Sequence, residues 1–225
     1  MYKFHQPNGI HSSELWQLCL SVDPCAVSDV LNKYGFSQRT MRADLQGIAP
    51  GMKTAGIIRT MSSRPREQAP DPSKEYGLLF EAIDQLSSGE VLVTDTVDCC
   101  VWGELCAERA KRRNSNGVII DGYYRDAERV LASGYPVFAR GRHMSDLLYH
   151  REIIAINQAV SCAGVYCEPG DLALGGADGV VVIPGKMIEL VIREAADKSL
   201  TEDQVRTALA AGASAAETYK SYGVF

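Results

Sequence analysis

Residues 117–126 read GVIIDGYYRD, and the fold class follows from this stretch and its flanks. Gly117 to Gly122 predicts a strand with a tight exit, since Gly122 tolerates backbone geometry that other residues resist. The residues after that exit are presented at the edge of a sheet. Working outward, EVLVTDT (90–96) and PVFARG (136–141) also read as strands. Between them, Val101 to Lys111 and Ala127 to Ser133 carry helical spacing, and LLFEAIDQL (78–86) is a short amphipathic helix closed by Ser87, Ser88 and Gly89. Strands alternating with short helices predict an α/β domain with mixed sheets.

Further out the pattern is less uniform. Residues 12–35 predict a helix stopped by Gly35, and Ala55 to Met61 a strand after a Gly/Pro turn. SSRPREQAPDPSKE (62–75) predicts a surface loop or an active-site margin. RHMSDLLYHREIIAINQ (142–158) is irregular, VSCAGVYCEPGD (160–171) suggests strands around a turn, and GVVVIPG (179–185) is a strand. Met187 to Ala211 is helical with a break near Ser199–Leu200, where Thr201 and Gln204 suit a capping box. The whole chain, 1–225, reads as one domain, with 1–19 as an N-terminal arm and 186–225 as C-terminal helices.

The 225 residues are 46% hydrophobic and 23% charged, an ordinary globular composition that excludes disorder of the whole chain. A formal charge of −5 lends no support to nucleic-acid binding. No apolar run is long enough to cross a membrane, and the first residues lack a signal-peptide pattern, so a cytoplasmic location is expected. The seven cysteines form no CxxC pair, and buried free thiols are expected rather than a zinc site.

The densest chemistry lies between Asp98 and Asp126. Trp102-Gly103-Glu104-Leu105 stands at the predicted start of a helix, where orphan N–H groups suit a carboxylate or phosphate. Twenty residues separate Glu104 from Arg125. Arg125 offers a planar fork for a substrate carboxylate, and Asp126 a hard oxygen for a divalent cation. Together an arginine and a metal would stabilise an enolate-like oxyanion. An Arg-Asp pair beside glycine is also the content of an ordinary surface turn, so spacing alone leaves both readings open.

The blocks DTVDCCVWGELCAERAKRRNSNGVIIDGYYRD, PVFARG and GVYCEPGDLALGGADGVVVIP, in that order, resemble the RraA-like family, named for a regulator of ribonuclease activity. The resemblance runs from Leu20 to the end, about nine-tenths of the chain. The family includes class II, metal-dependent 4-hydroxy-4-methyl-2-oxoglutarate aldolases with oxaloacetate decarboxylase activity. The resemblance implies an α/β/β/α sandwich of the swivelling phosphohistidine-domain type, assembled as homotrimers or hexamers. It implies that Asp126 ligates Mg²⁺ or Mn²⁺ and that Arg125 engages the pyruvyl group. Glu104 takes the acidic position of the signature, Gly103 preserves a turn, and the amides of Leu105 and Cys106 hold the substrate carboxylate. The activity implied is carbon–carbon cleavage of a 2-oxo acid through a metal-bound pyruvate enolate, without a Schiff base. The base for the retro-aldol step is not identified.

Several positions depart from the aldolase-type pattern. Tyr76 and Phe80 stand where relatives carry Asn and His, Gly176 where Asp is frequent, and Tyr123 and Tyr124 where a small residue is usual. A lyase for a different hydroxy-oxo or sugar acid is therefore an alternative, as is a non-catalytic regulator binding a ribonuclease or helicase. No Gly-rich loop after the first strand supports a methyltransferase. His143, His150, Glu168, Asp171 and Asp178 read as surface or turn residues.

Overall fold

The computed structural model describes residues 2–71 and 75–225. Two helices open it, α1 (Ser13–Ser21) and α2 (Pro24–Lys33), where the sequence suggested one. The break follows from Pro24, which lacks an N–H and pushes the preceding residue out of helical geometry. Pro24 is tolerated at the first position of α2, whose Cys25 amide donates to the Asp23 carboxylate at 2.8 Å.

Eleven strands follow among the described residues: β1 (Gln46–Gly47), β2 (Thr54–Pro65), β3 (Glu90–Thr94), β4 (Cys100–Trp102), β5 (Gly117–Tyr124), β6 (Val137–Arg142), β7 (Arg151–Ile156), β8 (Val160–Cys162), β9 (Val165–Cys167), β10 (Leu172–Gly176) and β11 (Gly179–Ile183). Interspersed are α3 (Leu79–Asp84), α4 (Glu104–Arg112) and α5 (Ala127–Ser133), and the chain finishes with α6 (Ile188–Ala210) and α7 (Ala215–Tyr222).

The main sheet runs β1-β6-β5-β3-β2-β10-β11, with β4 beside β5 and β7 beside β2. Its centre, β2-β3-β5-β6, is parallel, and its margins are antiparallel. The segment around Arg39–Met41 bonds to β11 through Met41 N–H to Val180 O and Val182 N–H to Arg39 O, both at 2.9 Å, and then leads into β1 on β6. The chain thereby nearly closes the sheet on itself.

Period-two alternation sorts the strand residues into layers. Ile119, Val91, Val93, Phe138, Val180 and Val182 face inward, where the β8–β9 hairpin supplies Val160, Cys162 and Val165. Their neighbours Val118, Ile120, Leu92 and Val137 face outward under α3, α4 and α5. Leu172, Leu174, Val181 and Ile183 face outward under α1, α2 and α6. Helices thus cover both outer faces of a curled sheet, the expected α/β/β/α arrangement. With both faces covered, strands read as unbroken apolar runs rather than alternating ones.

Several expectations need correction. β2 extends through Ser62 to Pro65, where a loop was expected, because β7 pairs with it antiparallel. Its polar residues are satisfied laterally: Ser63 donates both its N–H and its hydroxyl to Asp95, and Arg64 pairs with Glu152. The rest of the expected loop includes 72–74, which lie outside the described residues. α4 begins at Glu104, not Val101, because Cys100–Trp102 form a strand parallel to β5. Gly122 lies within β5 rather than ending it. A Cβ there would come within 2.2 Å of a Val97 methyl, so the glycine serves close approach and a bulge against β6. α6 is continuous, and Thr201 bonds back to the Asp197 carbonyl inside it instead of capping a new helix. All seven cysteines are free and five are buried, as expected, while Cys25 is exposed and Cys106 half-buried. No helix among the described residues is long and apolar enough to cross a membrane.

Near the end of β5 sits Asp121, fully buried. One carboxylate oxygen accepts from Arg42 at 2.7 Å and lies 3.2 Å from Arg140 Nε. The other accepts from the Thr96 hydroxyl and from the Ala163 amide, the latter at 2.9 Å. Burial pushes the carboxyl group up, but Thr96, Ala163 and Arg42 together outweigh it and hold it below its ordinary value of 3.8. Its stabilisation is therefore complete above 3.8 and is lost as pH falls through the lower folded value. Asp121→Asn is expected to cost about 3 kcal/mol at neutral pH, the lower end for a broken buried pair because Arg42 is half-exposed. In urea unfolding the gap between variant and parent should narrow as pH drops below about 4; a gap independent of pH would contradict the assignment.

Candidate functional site

The end of β5 and the start of α4 meet because β4 pairs with β5 immediately before both. Cys100 and Trp102 lie opposite Tyr123 and Tyr124, and Arg125 N–H donates to Trp102 O at 2.9 Å. This bond brings Gly103-Glu104 beside Arg125-Asp126. Asp126 sits in the left-handed region at φ 57° and ψ 40°, a conformation that a short polar side chain tolerates and that recurs at functional sites. One of its oxygens accepts from Glu104 N–H at 3.2 Å and lies 3.9 Å from Arg125 Nε. Its other oxygen has no hydrogen-bond partner among the described residues.

Gly103 makes this approach possible. A Cβ on it would fall 2.6 Å from the Asp126 carboxylate, so a glycine is required by space, not by its extended backbone. Beyond it, the first intrahelical bond of α4 is Ala107 N–H to Gly103 O. The amides of Leu105 and Cys106 precede that ladder and have no carbonyl partner within the helix. Leu105 is 79% exposed. Glu104 turns away to pair with Arg129 at 3.0 Å.

Arg125 is held from its other side by Asp146, with Nη1 to Oδ2 at 2.7 Å. The Asp146 Oδ1 accepts from Leu148 N–H at 2.9 Å, and Tyr76 donates its hydroxyl to Oδ2 at 3.3 Å. The backbone is fixed as well, since Cys100 N–H donates to Ser145 O at 2.8 Å. Burial pushes the Tyr76 phenol up, and the Asp146 carboxylate pushes it further. Burial likewise raises Cys100 to about 12 and raises Cys106, so both thiols stay protonated beside Arg125 and are poor ligands or nucleophiles.

The structure thus gathers Gly103, Glu104, Arg125 and Asp126 into one network, with the Leu105 and Cys106 amides at its rim. Sequence reading missed Asp146 and its partner role. The stretch around it showed only an Asp before two leucines, which signals a local cap and says nothing of a partner on another strand. His143 and His150 instead surround Ser145, at 3.2 Å to its amide and 2.6 Å to its hydroxyl. Asp171 caps the turn before β10, accepting from the Glu168 and Gly185 amides. Asp178 accepts from the Cys25 thiol at 3.7 Å.

Three carboxylates and two guanidiniums in this network leave one negative charge in excess, centred on Asp126. No group of three or more His, Cys, Asp or Glu converges on one point among the described residues. Mg²⁺ and similar hard cations do not need such a cage, being held by one or two carboxylates with water and substrate oxygens. The residues present fit that mode, with Asp126 as the free carboxylate.

A family model described as RraA-like (Aldolase/RraA) matches residues 24–182. Protein DlpA of Legionella pneumophila is 28% identical over 92% of this chain, although the match spans only 34% of that protein. A Halalkalibacterium halodurans protein named "Putative 4-hydroxy-4-methyl-2-oxoglutarate aldolase" is 32% identical over 63% of this chain and 68% of its own. Among solved structures, Streptomyces coelicolor RraAS2, described as an unusual member of the RNase ES inhibitor RraA protein family, superposes with a TM-score of 0.77. That alignment is 24% identical and covers 87% of this chain and 98% of the other, a likeness of fold.

Replacing Gly103 with Ala should leave the fold intact, changing stability by less than about 1 kcal/mol because the displaced side chain is half-exposed. A crystal structure of the variant should show the Asp126 carboxylate rotated off the Glu104 amide. An undisturbed Asp126 would show that the glycine is not what sets this approach.

Proposed function

Because the chain belongs to the RraA-like family, we propose that it is a divalent-cation-dependent lyase that cleaves a carbon–carbon bond of a 2-oxo acid, of the 4-hydroxy-4-methyl-2-oxoglutarate aldolase or oxaloacetate decarboxylase type. The observation that carries this reading is the placement of Asp126. A carboxylate with one oxygen unpartnered, held in left-handed geometry, stands beside an oriented arginine and the free amides of a helix start.

In this reading the Leu105 and Cys106 amides receive the substrate carboxylate, aided by the positive end of α4. Arg125 presents its fork to the pyruvyl oxygens and balances the charge that develops there as the bond breaks. Asp126 holds Mg²⁺ or Mn²⁺, which when bound supplies Lewis-acid polarisation of the keto oxygen. Glu104, held as a carboxylate by Arg129, orients a water at the rim, and that water would give its proton to the product carbon, the hydroxide left being neutralised from bulk solvent. The Tyr76 and Phe80 rings, 5.3 Å apart, stand where aldolase-type relatives carry polar residues, which favours a substrate differing beyond its pyruvyl end. Assembly as a homotrimer or hexamer belongs to the same proposal.

The test is pyruvate release from oxaloacetate by the purified chain. Mg²⁺ or Mn²⁺ should support it, EDTA should abolish it, and Asp126→Ala and Arg125→Gln should each lower kcat/KM by at least about 100-fold, the scale of losing one preorganised electrostatic contact. Turnover that survives in Asp126→Ala would refute the lyase reading, and turnover no greater than the free-metal blank on oxaloacetate and on 4-hydroxy-2-oxo acids alike would do the same.

A further inference from the structure

Arg125 has two carboxylates within reach, and the structure shows which one holds it. Its Nη1 lies 2.7 Å from Asp146, while its Nε lies 3.9 Å from Asp126, at the outer limit of an ion pair. Asp146 is built to win this contest. It is less exposed than Asp126, 23% against 42% of the side chain, so its attraction for the guanidinium is less screened by water. Its Oδ1 is fixed by the Leu148 amide and its Oδ2 by the Tyr76 hydroxyl, so the carboxylate cannot swing away from the arginine. Asp126 has one amide contact, from Glu104 at 3.2 Å, and an oxygen left over.

We infer that Asp146 is a positioning residue whose task is to withhold Arg125 from Asp126, keeping the Asp126 carboxylate available to a divalent cation. Asp146 itself touches neither the cation nor the reacting atoms. Without it, the guanidinium needs only a side-chain rotation to close a direct pair with Asp126. The cation would then have to displace a resident positive charge. Withholding has a second effect on the same atoms: with one amino group tied to Asp146, the remaining N–H donors of Arg125 keep a fixed direction toward the pyruvyl position. This inference rests on the lyase reading for the identity of the cation site, and it adds the residue that keeps that site open.

The experiment is a Mn²⁺ titration of the full chain followed by electron paramagnetic resonance, without substrate. Asp146→Asn should bind Mn²⁺ about tenfold more weakly than the parent, as expected when a unit positive charge moves from about 4 Å to direct contact. The double variant Arg125→Gln/Asp146→Asn should recover to within about twofold of the parent, while remaining inactive. Arg125→Gln alone should bind no more weakly than the parent, and it tests the competition even if Asp146→Asn fails to fold, which circular dichroism would reveal. Parent-like affinity in a folded Asp146→Asn, weak binding that persists in the double variant, or a tenfold loss in Arg125→Gln would each overturn the inference while leaving the lyase reading standing. Failure of the parent chain to bind Mn²⁺ at all would remove both.

Discussion

A carboxylate sealed inside a protein must find partners for both oxygens, and in this fold the partners of Asp121 come from four separate places in the chain. Arg42 belongs to the segment that closes the sheet, Thr96 to the loop after β3, Arg140 to β6 and Ala163 to the tip of the β8–β9 hairpin. Arg140 also reaches the Val97 carbonyl and lies over the Tyr123 ring. None of these segments can move far without leaving a buried charge uncompensated, a costlier outcome than the loss of an apolar contact. The position of Asp121 in β5 makes the consequence local. Four residues later the strand has ended and Arg125 projects from a terminus pinned on both flanks.

The same ion cluster borders the layer enclosed by the curled sheet. That layer is filled by valines, isoleucines, Met41, Leu45, Ala173, one phenylalanine and the hairpin. Helices on the outer faces then need only cover the remaining apolar residues of each strand. α4 has Ala107 and Ala110 as its buried residues, while Leu105 in its first turn faces solvent. The structural and the chemical ends of α4 are thereby separated within nine residues.

The central strands were legible because burial on both faces writes itself as unbroken apolar runs, as in GVII of β5 and VVVI of β11. The pairing of Glu104 with the Arg125-Asp126 turn was legible as a pattern only through resemblance. What failed to show was structure held by polar contacts between distant segments. The end of β2 includes Ser62, Ser63, Arg64 and Pro65, which resemble a loop until Asp95 and Glu152 are seen beside them. β7 buries Ile153 alone among its residues, so it carries no alternation to detect. The start of α4 is capped by a glycine without a side-chain bond, leaving no capping signature. Asp146 was invisible for the most general reason: one aspartate in an irregular stretch acquires meaning from a neighbour that the chain brings to it only after folding.

The amides at the start of α4 have an implication for how such a site changes over generations. A contact made by main-chain N–H groups cannot be deleted by substituting the residue that carries it, since almost any amino acid at Leu105 or Cys106 offers the same donor. The exposed side chains of Leu105 and Phe80 are by contrast free to vary. On the lyase reading, the part of the ligand common to all 2-oxo acids is gripped by backbone, and the part that differs is met by side chains. Mutational drift therefore alters the accepted tail while the grip on the shared end persists, and a lineage built on this scaffold can exchange one substrate for another without passing through a protein that binds none.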